Sequence, residues 1–192
     1  MDISTFFSDL KVVELAAVLA GPAVGMFFAE LGAHVVKIEN KASGGDMTRQ
    51  WKNSNESAES PVSAYYSSVN FYKQVLFLDL NDQEERTKVH QLIAESDIVI
   101  ANFKIGSAEK LQMDYGYLKK LNPRLIYAQI NGMEDDRPAF DVVLQAETGF
   151  ISMTGENEGI YSKMPVALID LLAAHQLKEA ILVAMIHLMK TG

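Results

Sequence analysis

The sequence predicts an α/β fold, an open and mostly parallel sheet with helices on both faces, and three observations carry that prediction. Short β-type apolar runs alternate with helical periodicities along most of the 192 residues. The first alternation is a βαβ unit, which requires parallel strands joined by a right-handed crossover. A composition of 48% hydrophobic and 22% charged residues describes one soluble globular domain with a sizeable core, neither disordered nor fibrous.

Taken in order, Val12, Val13 and Leu15 form the first strand. Ala20-Gly21-Pro22 then punctuates the chain, and Pro22 suits the first turn of a helix running to about Leu31. Gly32 stops that helix, and His34 to Glu39 reads as the second strand. From Asn40 to Ser63 the composition shifts to Ser, Asn, Gly, Lys and Glu, with Gly44-Gly45-Asp46 near its start. A stretch of that length without apolar periodicity is either a functional loop or a disordered one. Val75 to Leu78 is the third strand, and Asn81-Asp82 begins a helix reaching about Ser96 through Val89, Leu92 and Ile93. Asp97 to Ile100 is the fourth strand; a helix over Ala108 to Leu121 closes at Asn122-Pro123, before a fifth strand from Leu125 to Ile130. Val142 to Thr154 reads as helical, Gly155 to Lys163 as a turn-rich connection, and Val166 to Met189 as a long, increasingly apolar helix. The sequence stops at Thr191-Gly192 with no closing strand.

Several function classes are excluded or disfavoured. With 17 basic and 25 acidic residues the net charge is −8, which repels nucleic acid and anionic membrane surfaces, so neither is expected as a partner. No cysteine is present, which removes disulfides, Cys-based zinc sites, iron–sulfur ligation and a thiol nucleophile. Met1 to Leu10 has no basic and apolar signal pattern, and Leu171 to Met189 is interrupted by His175, Gln176, Lys178, Glu179 and His187. That segment therefore falls short of the ~20 mostly apolar residues of a membrane helix, and a cytoplasmic location is expected. His34, His90, His175 and His187 show no i, i+4 pair and no H-E-x-x-H, so no metal site is expected, and no G-x-S-x-G occurs. Glu39, following the βαβ turn, has the place of a ribose-binding carboxylate, but Ala20-Gly21-Pro22-Ala23-Val24-Gly25 lacks the G-x-G-x-x-G that a dinucleotide pyrophosphate needs. Gly21-Pro22 is then simply the start of a helix.

Asp170 stands directly before Leu171-Leu172-Ala173-Ala174. The ordinary reading is an N-cap accepting hydrogen bonds from the next turn. The same geometry supports a functional one: a carboxylate kept ionised at a helix N-terminus can attack an activated acyl group, with nearby N–H groups stabilising the oxyanion.

Six segments in order resemble the family III CoA-transferases of CaiB/BaiF type, the group that includes formyl-CoA transferase, the carnitine CoA-transferase and α-methylacyl-CoA racemase. Val18-Leu19-Ala20-Gly21-Pro22 with Glu30-Leu31-Gly32-Ala33-His34-Val35-Val36-Lys37-Ile38-Glu39 is similar to the family's L-A-G-P…L-G-A-x-V-x-K-I-E. Gly45-Asp46-Met47-Thr48-Arg49 with Trp51 matches its G-D-x-x-R…W loop, and Asn70, Lys73 and Leu78-Asp79-Leu80 its N-x-x-K…L-D-L. Asn102-Phe103-Lys104-Ile105-Gly106 is similar to N-F-R-P-G, and Leu121-Asn122-Pro123-Arg124-Leu125-Ile126-Tyr127 to L-N-P-R-L-I-Y. The last, Val166-Ala167-Leu168-Ile169-Asp170, sets Asp170 at the family's nucleophilic aspartate.

The resemblance implies a Rossmann-like large domain over residues 1–192 that binds coenzyme A or acyl-CoA as substrate, with no covalently bound cofactor. It implies CoA contacts at Leu19, Ala20, Asn102, Phe103 and Lys110, with Lys73 and the Pro138 to Asp141 segment, Phe140 included, as further contacts. It also implies an acyl-CoA:carboxylate CoA-transferase reaction through acyl-anhydride and aspartyl-CoA intermediates, with an acyl-CoA and a carboxylic acid as partners. The alternatives are a CoA-binding or partner-subunit module without turnover and, third, the racemase. Phe140 opposes the racemase, because that branch carries a proton-shuttling histidine at this position. Ala17 stands where the family often has Arg, and Lys104 replaces the Arg of N-F-R-P-G, keeping a charge while losing the guanidinium fork. Family members run to about twice this length, continue into a small domain before returning to the large one, and interlock as dimers. A homo-oligomer or a second half-subunit is therefore expected to complete the chain.

Overall fold

The computed structural model describes residues 3–135, 137–155 and 159–191. The first two residues of the N-terminal stretch, 156–158 of the turn-rich connection and Gly192 lie outside the described residues. The chain enters β1 (Lys11–Leu15), turns into α1 (Ala20–Glu30) and returns as β2 (His34–Asn40). After a long loop come α2 (Ala64–Ser68), β3 (Gln74–Leu78), α3 (Gln83–Ala94) and β4 (Ile98–Ala101). Two short helices, α4 (Ser107–Lys110) and α5 (Tyr115–Leu121), lead to β5 (Ile126–Gln129), followed by α6 (Asp141–Glu147) and α7 (Leu168–Thr191).

The five strands form one sheet in the order β3-β2-β1-β4-β5, and all four pairings are parallel. Alternation along each strand divides the core. Val12, Ile98 and Ile100 face one side, where Val24 and Phe28 of α1 and Ala174 and Ile181 of α7 pack. Val13, Leu15 and Val99 face the other, against Val89 and Ile93 of α3 and Leu118 of α5. Strand order reverses direction at β1, whose neighbours β2 and β4 lead to opposite halves of the sheet. The crevice outside the carboxyl ends of β1 and β4 is thus the topological switch point, where open α/β sheets bind ligands.

Some boundaries depart from expectation for local reasons. The helix expected over Ala108 to Leu121 is two helices, because Gln112 adopts φ +58 and Asp114 caps α5 by accepting a hydrogen bond from Tyr117 N at 3.0 Å. The helix expected from Val142 to Thr154 stops at Glu147; Gly149, at φ +86, turns the chain into a 3₁₀ turn over Phe150–Met153. The polar stretch from Asn40 to Ser63 is ordered by its own side chains. Asn40 and Asp46 cap the 3₁₀ turns Lys41–Ser43 and Met47–Gln50, and Ser63, which caps α2, donates to Thr48 O at 2.6 Å.

Candidate active site

The switch point is built from the turn after β1 and the segment after β4. Register pairs Leu15 with Ala101, so the residues that follow each strand leave the sheet side by side. Asn102 closes this junction: its Oδ1 accepts from Ala17 N at 3.2 Å and its Nδ2 donates to Ala17 O at 2.9 Å. Leu19 is the N-cap of α1 but supplies no side-chain cap. Among the described residues no acceptor lies within hydrogen-bond reach of the amides of Leu19, Ala20 and Gly21, as is usual in an uncapped first turn. Leu19, Ala20, Asn102 and Phe103 therefore converge. The Phe103 side chain packs against the core beside α3 and α5, while Asn102 acts through the Ala17 backbone. Lys110 ends α4 with its side chain in solvent.

Lys73 is not presented to solvent. Its side chain is fully buried, with Nζ in an ion pair 2.8 Å from Glu14 Oε2 and donating to Pro22 O at 2.7 Å and to Asn70 Oδ1 at 3.0 Å. Burial brings its pKa down to about 8, against the opposing pull of Glu14. A ligand contact at Lys73, as the family resemblance implies, would therefore involve an ammonium that is already paired inside the protein. Glu39 likewise has no free carboxylate for a ribose. Arg49 holds it bidentately at 2.6 and 3.0 Å, and Tyr66 Oη donates to it at 2.6 Å.

Asp170 lies in the first turn of α7, half-buried. It is not the N-cap that its sequence position suggested. The helix begins two residues earlier, and the capping carboxylate is Asp141 from α6, whose Oδ1 accepts from Ile169 N at 2.7 Å and Asp170 N at 3.3 Å. The N–H groups of Ile169 and Asp170 are thus engaged by the cap. Asp141 is itself held by Gln145, a fully buried side chain that donates to Asp141 Oδ2 and to Val166 O at 3.2 Å and accepts from Met164 N at 2.8 Å. Gln145 thus ties the chain before α7 to α6. Burial, and then the negative charge of Asp141, push the Asp170 carboxyl up to about 6.

Tyr65 connects this carboxylate pair to the switch point. Burial raises its phenol pKa, and the charges of Asp170, Asp141 and Asp46 raise it further. Asp46 in turn accepts a hydrogen bond from Val18 N at 3.1 Å. Tyr65 also meets Trp51 edge to face at 5.2 Å, and Phe140, at the N-cap of α6, is 45% exposed beside Asp141. The sequence reading did not single out Tyr65 or Gln145, and named Asp141 only as the end of the Pro138 to Asp141 segment, because each acquires its place through contacts between distant segments. A separate groove of about 590 Å³, lined by Lys11, His34, Leu76 and Leu92, lies between α3 and the amino ends of β1 and β2, away from these groups. Among the described residues no three His, Asp or Glu converge as a metal site, and no helix is long and apolar enough to cross a membrane.

Fold and site together define an α/β protein with a switch-point crevice and a half-buried carboxylate in the first turn of α7. Residues 7–192 match the sequence model of CoA-transferase family III, and the chain belongs to that family. It is 38% identical over 193 residues to the succinate–glutarate CoA-transferase of Agrobacterium fabrum, a match covering 96% of this chain and 48% of that protein. To the succinyl-CoA:mesaconate CoA-transferase of Haloarcula hispanica it is 37% identical over 198 residues, again covering 96% of this chain and 48% of that protein. The crystal structure of a CaiB/BaiF family protein from Brucella suis superposes with a TM-score of 0.85 at 37% identity, covering 95% of this chain and 50% of that one. Rv3272 from Mycobacterium tuberculosis gives a TM-score of 0.87 at 29% identity, covering all of this chain and 54% of its own. The chain therefore spans about half the length of these relatives.

Proposed function

We propose that the chain is the CoA-binding, nucleophile-bearing part of an acyl-CoA:carboxylate CoA-transferase, with Asp170 as nucleophile. The observation that carries this reading is the Asp170 carboxylate on the first turn of α7, half-buried and opposed by Asp141. Desolvation makes such a carboxylate a better nucleophile once it is ionised. In the proposed sequence, an Asp170 oxygen attacks the thioester carbonyl, giving a mixed acyl–aspartyl anhydride and expelling CoA thiolate. The thiolate attacks the aspartyl carbonyl of the anhydride, releasing the donor acid and leaving an aspartyl-CoA thioester. The acceptor carboxylate then displaces CoA thiolate to form a second anhydride. Return of the thiolate to the acceptor's acyl carbon yields the new acyl-CoA and restores Asp170. Phe140 cannot transfer a proton, which supports transfer over racemisation. We further propose a cytoplasmic protein that works as a homo-oligomer or with a second subunit.

The alternative is a CoA-binding module without turnover. Titration of the chain with CoA in a calorimeter tests the binding common to both readings. Saturable binding, weakened severalfold when Lys110→Ala removes an exposed ammonium near the proposed phosphates, is expected. No heat and no protection against thermal unfolding at millimolar CoA would contradict it.

A further inference from the structure

Three consecutive residues after β1 have their backbone held by side chains from three other segments. Lys37 Nζ donates to Ala16 O at 2.6 Å, Asn102 brackets Ala17, and Asp46 Oδ2 accepts from Val18 N at 3.1 Å. Val18 has φ +72, a left-handed conformation that a β-branched side chain opposes. Such a conformation persists only where its surroundings over-determine it. The surroundings here are a buried set of charges: Lys37 Nζ lies 2.8 Å from Glu14 Oε1 and 3.3 Å from Asp46 Oδ2, all three side chains being inaccessible to solvent. Asp46 is further oriented by Thr48, whose N–H and hydroxyl both donate to its Oδ1, at 3.0 and 2.8 Å. Four contacts are thus concentrated on a carboxylate that touches none of the groups assigned to the reaction.

Resting on the CoA reading above, we propose that Asp46, backed by Lys37 and Glu14, is a positioning residue. It locks Val18 in its left-handed conformation and so fixes the turn that presents the Leu19 and Ala20 amides. The test is Asp46→Asn, which retains Oδ1 for Thr48 but sets an NH₂ group against the Val18 N–H and the Lys37 ammonium. Two readouts are taken: hydrogen exchange of the Val18 amide in the ligand-free chain, and Kd for CoA at a temperature well below Tm. Exchange at Val18 is expected to quicken more than at the core amides, and CoA binding to weaken about tenfold, about 1.4 kcal/mol. Adding Val18→Gly, which removes the left-handed penalty, is expected to recover most of that affinity. A purely structural Asp46 would lower Tm with Val18 protection and Kd unchanged and with no rescue by V18G, and that result overturns the proposal. Should D46N alone not fold, the D46N/V18G pair is expected to fold; failure of the pair as well contradicts the proposal. If the unaltered chain binds no CoA, the CoA reading falls. Val18 exchange then decides the positioning role alone, with unchanged protection in D46N counting against it.

Discussion

Asp170 and Asp141 form a division of labour between two carboxylates. Asp141 is committed to the N-terminus of α7, where it accepts hydrogen bonds from Ile169 and Asp170, and Asp170 bears the consequence as a pKa raised to about 6 by burial and by its neighbour's charge. A carboxylate nucleophile acts only when ionised, so the rate of acyl capture is expected to fall as pH drops through about 6. Asp141→Asn keeps an oxygen for the cap and removes the charge. The acid limb of the pH–rate profile is therefore expected to move toward lower pH while helix content is unchanged, and an unmoved limb would show that Asp141 exerts no electrostatic control. The sequence singles out Asp170 as a candidate, through Val166-Ala167-Leu168-Ile169-Asp170, but not the capping role of Asp141 beside it. Capping by a residue on another helix depends on a tertiary approach that no local pattern encodes. Lys73 and Glu39 make the complementary point: spacing or family pattern associates each with a ligand, and the fold also gives each an internal ion-pair partner, Glu14 in one case and Arg49 in the other.

Elements were more legible than their interiors. All five strands and the long terminal helix follow from apolar periodicity, because burial on a sheet face or a helix stripe imposes that periodicity on the sequence. The break between α4 and α5 does not, since the residues on both sides suit a helix and only the Asp114 cap and the left-handed Gln112 divide them. Least visible is the charged layer between α1 and the sheet. Glu14 and Lys37 lie within apolar strand runs, and Gly25, in the middle of α1, makes room for Glu14 and for Lys73 beside it. A Cβ there would stand 1.9 Å from Glu14 Oε2 and 3.3 Å from Lys73 Cε. Gly25→Ala improves helix propensity, yet it is expected to destabilise the chain by about 1–3 kcal/mol through overpacking against an immobile carboxylate. Denaturant unfolding checks the sign: stabilisation would mean that Glu14 is free to move and that the network is loosely held.

For the molecule as a whole, the parallel sheet, the switch point and the carboxylate pair are one arrangement. The charges of Asp46, Asp141 and Asp170 all act on Tyr65, and α1 and α7 pack on the same face of the sheet. Outward from that face α7 exposes Val183, Ile186 and Met189, the last 84% accessible. The measurement that bears most directly on the central claim is peptide mass spectrometry of the chain after incubation with a panel of acyl-CoA donors and hydroxylamine, which converts an activated aspartyl group to its hydroxamate. Modification confined to Asp170, lost in Asp170→Asn and retained in Asp46→Asn at saturating donor, is the predicted result. An unmodified Asp170 across the panel, with CoA nonetheless bound, would contradict the nucleophile assignment and leave a binding module in its place.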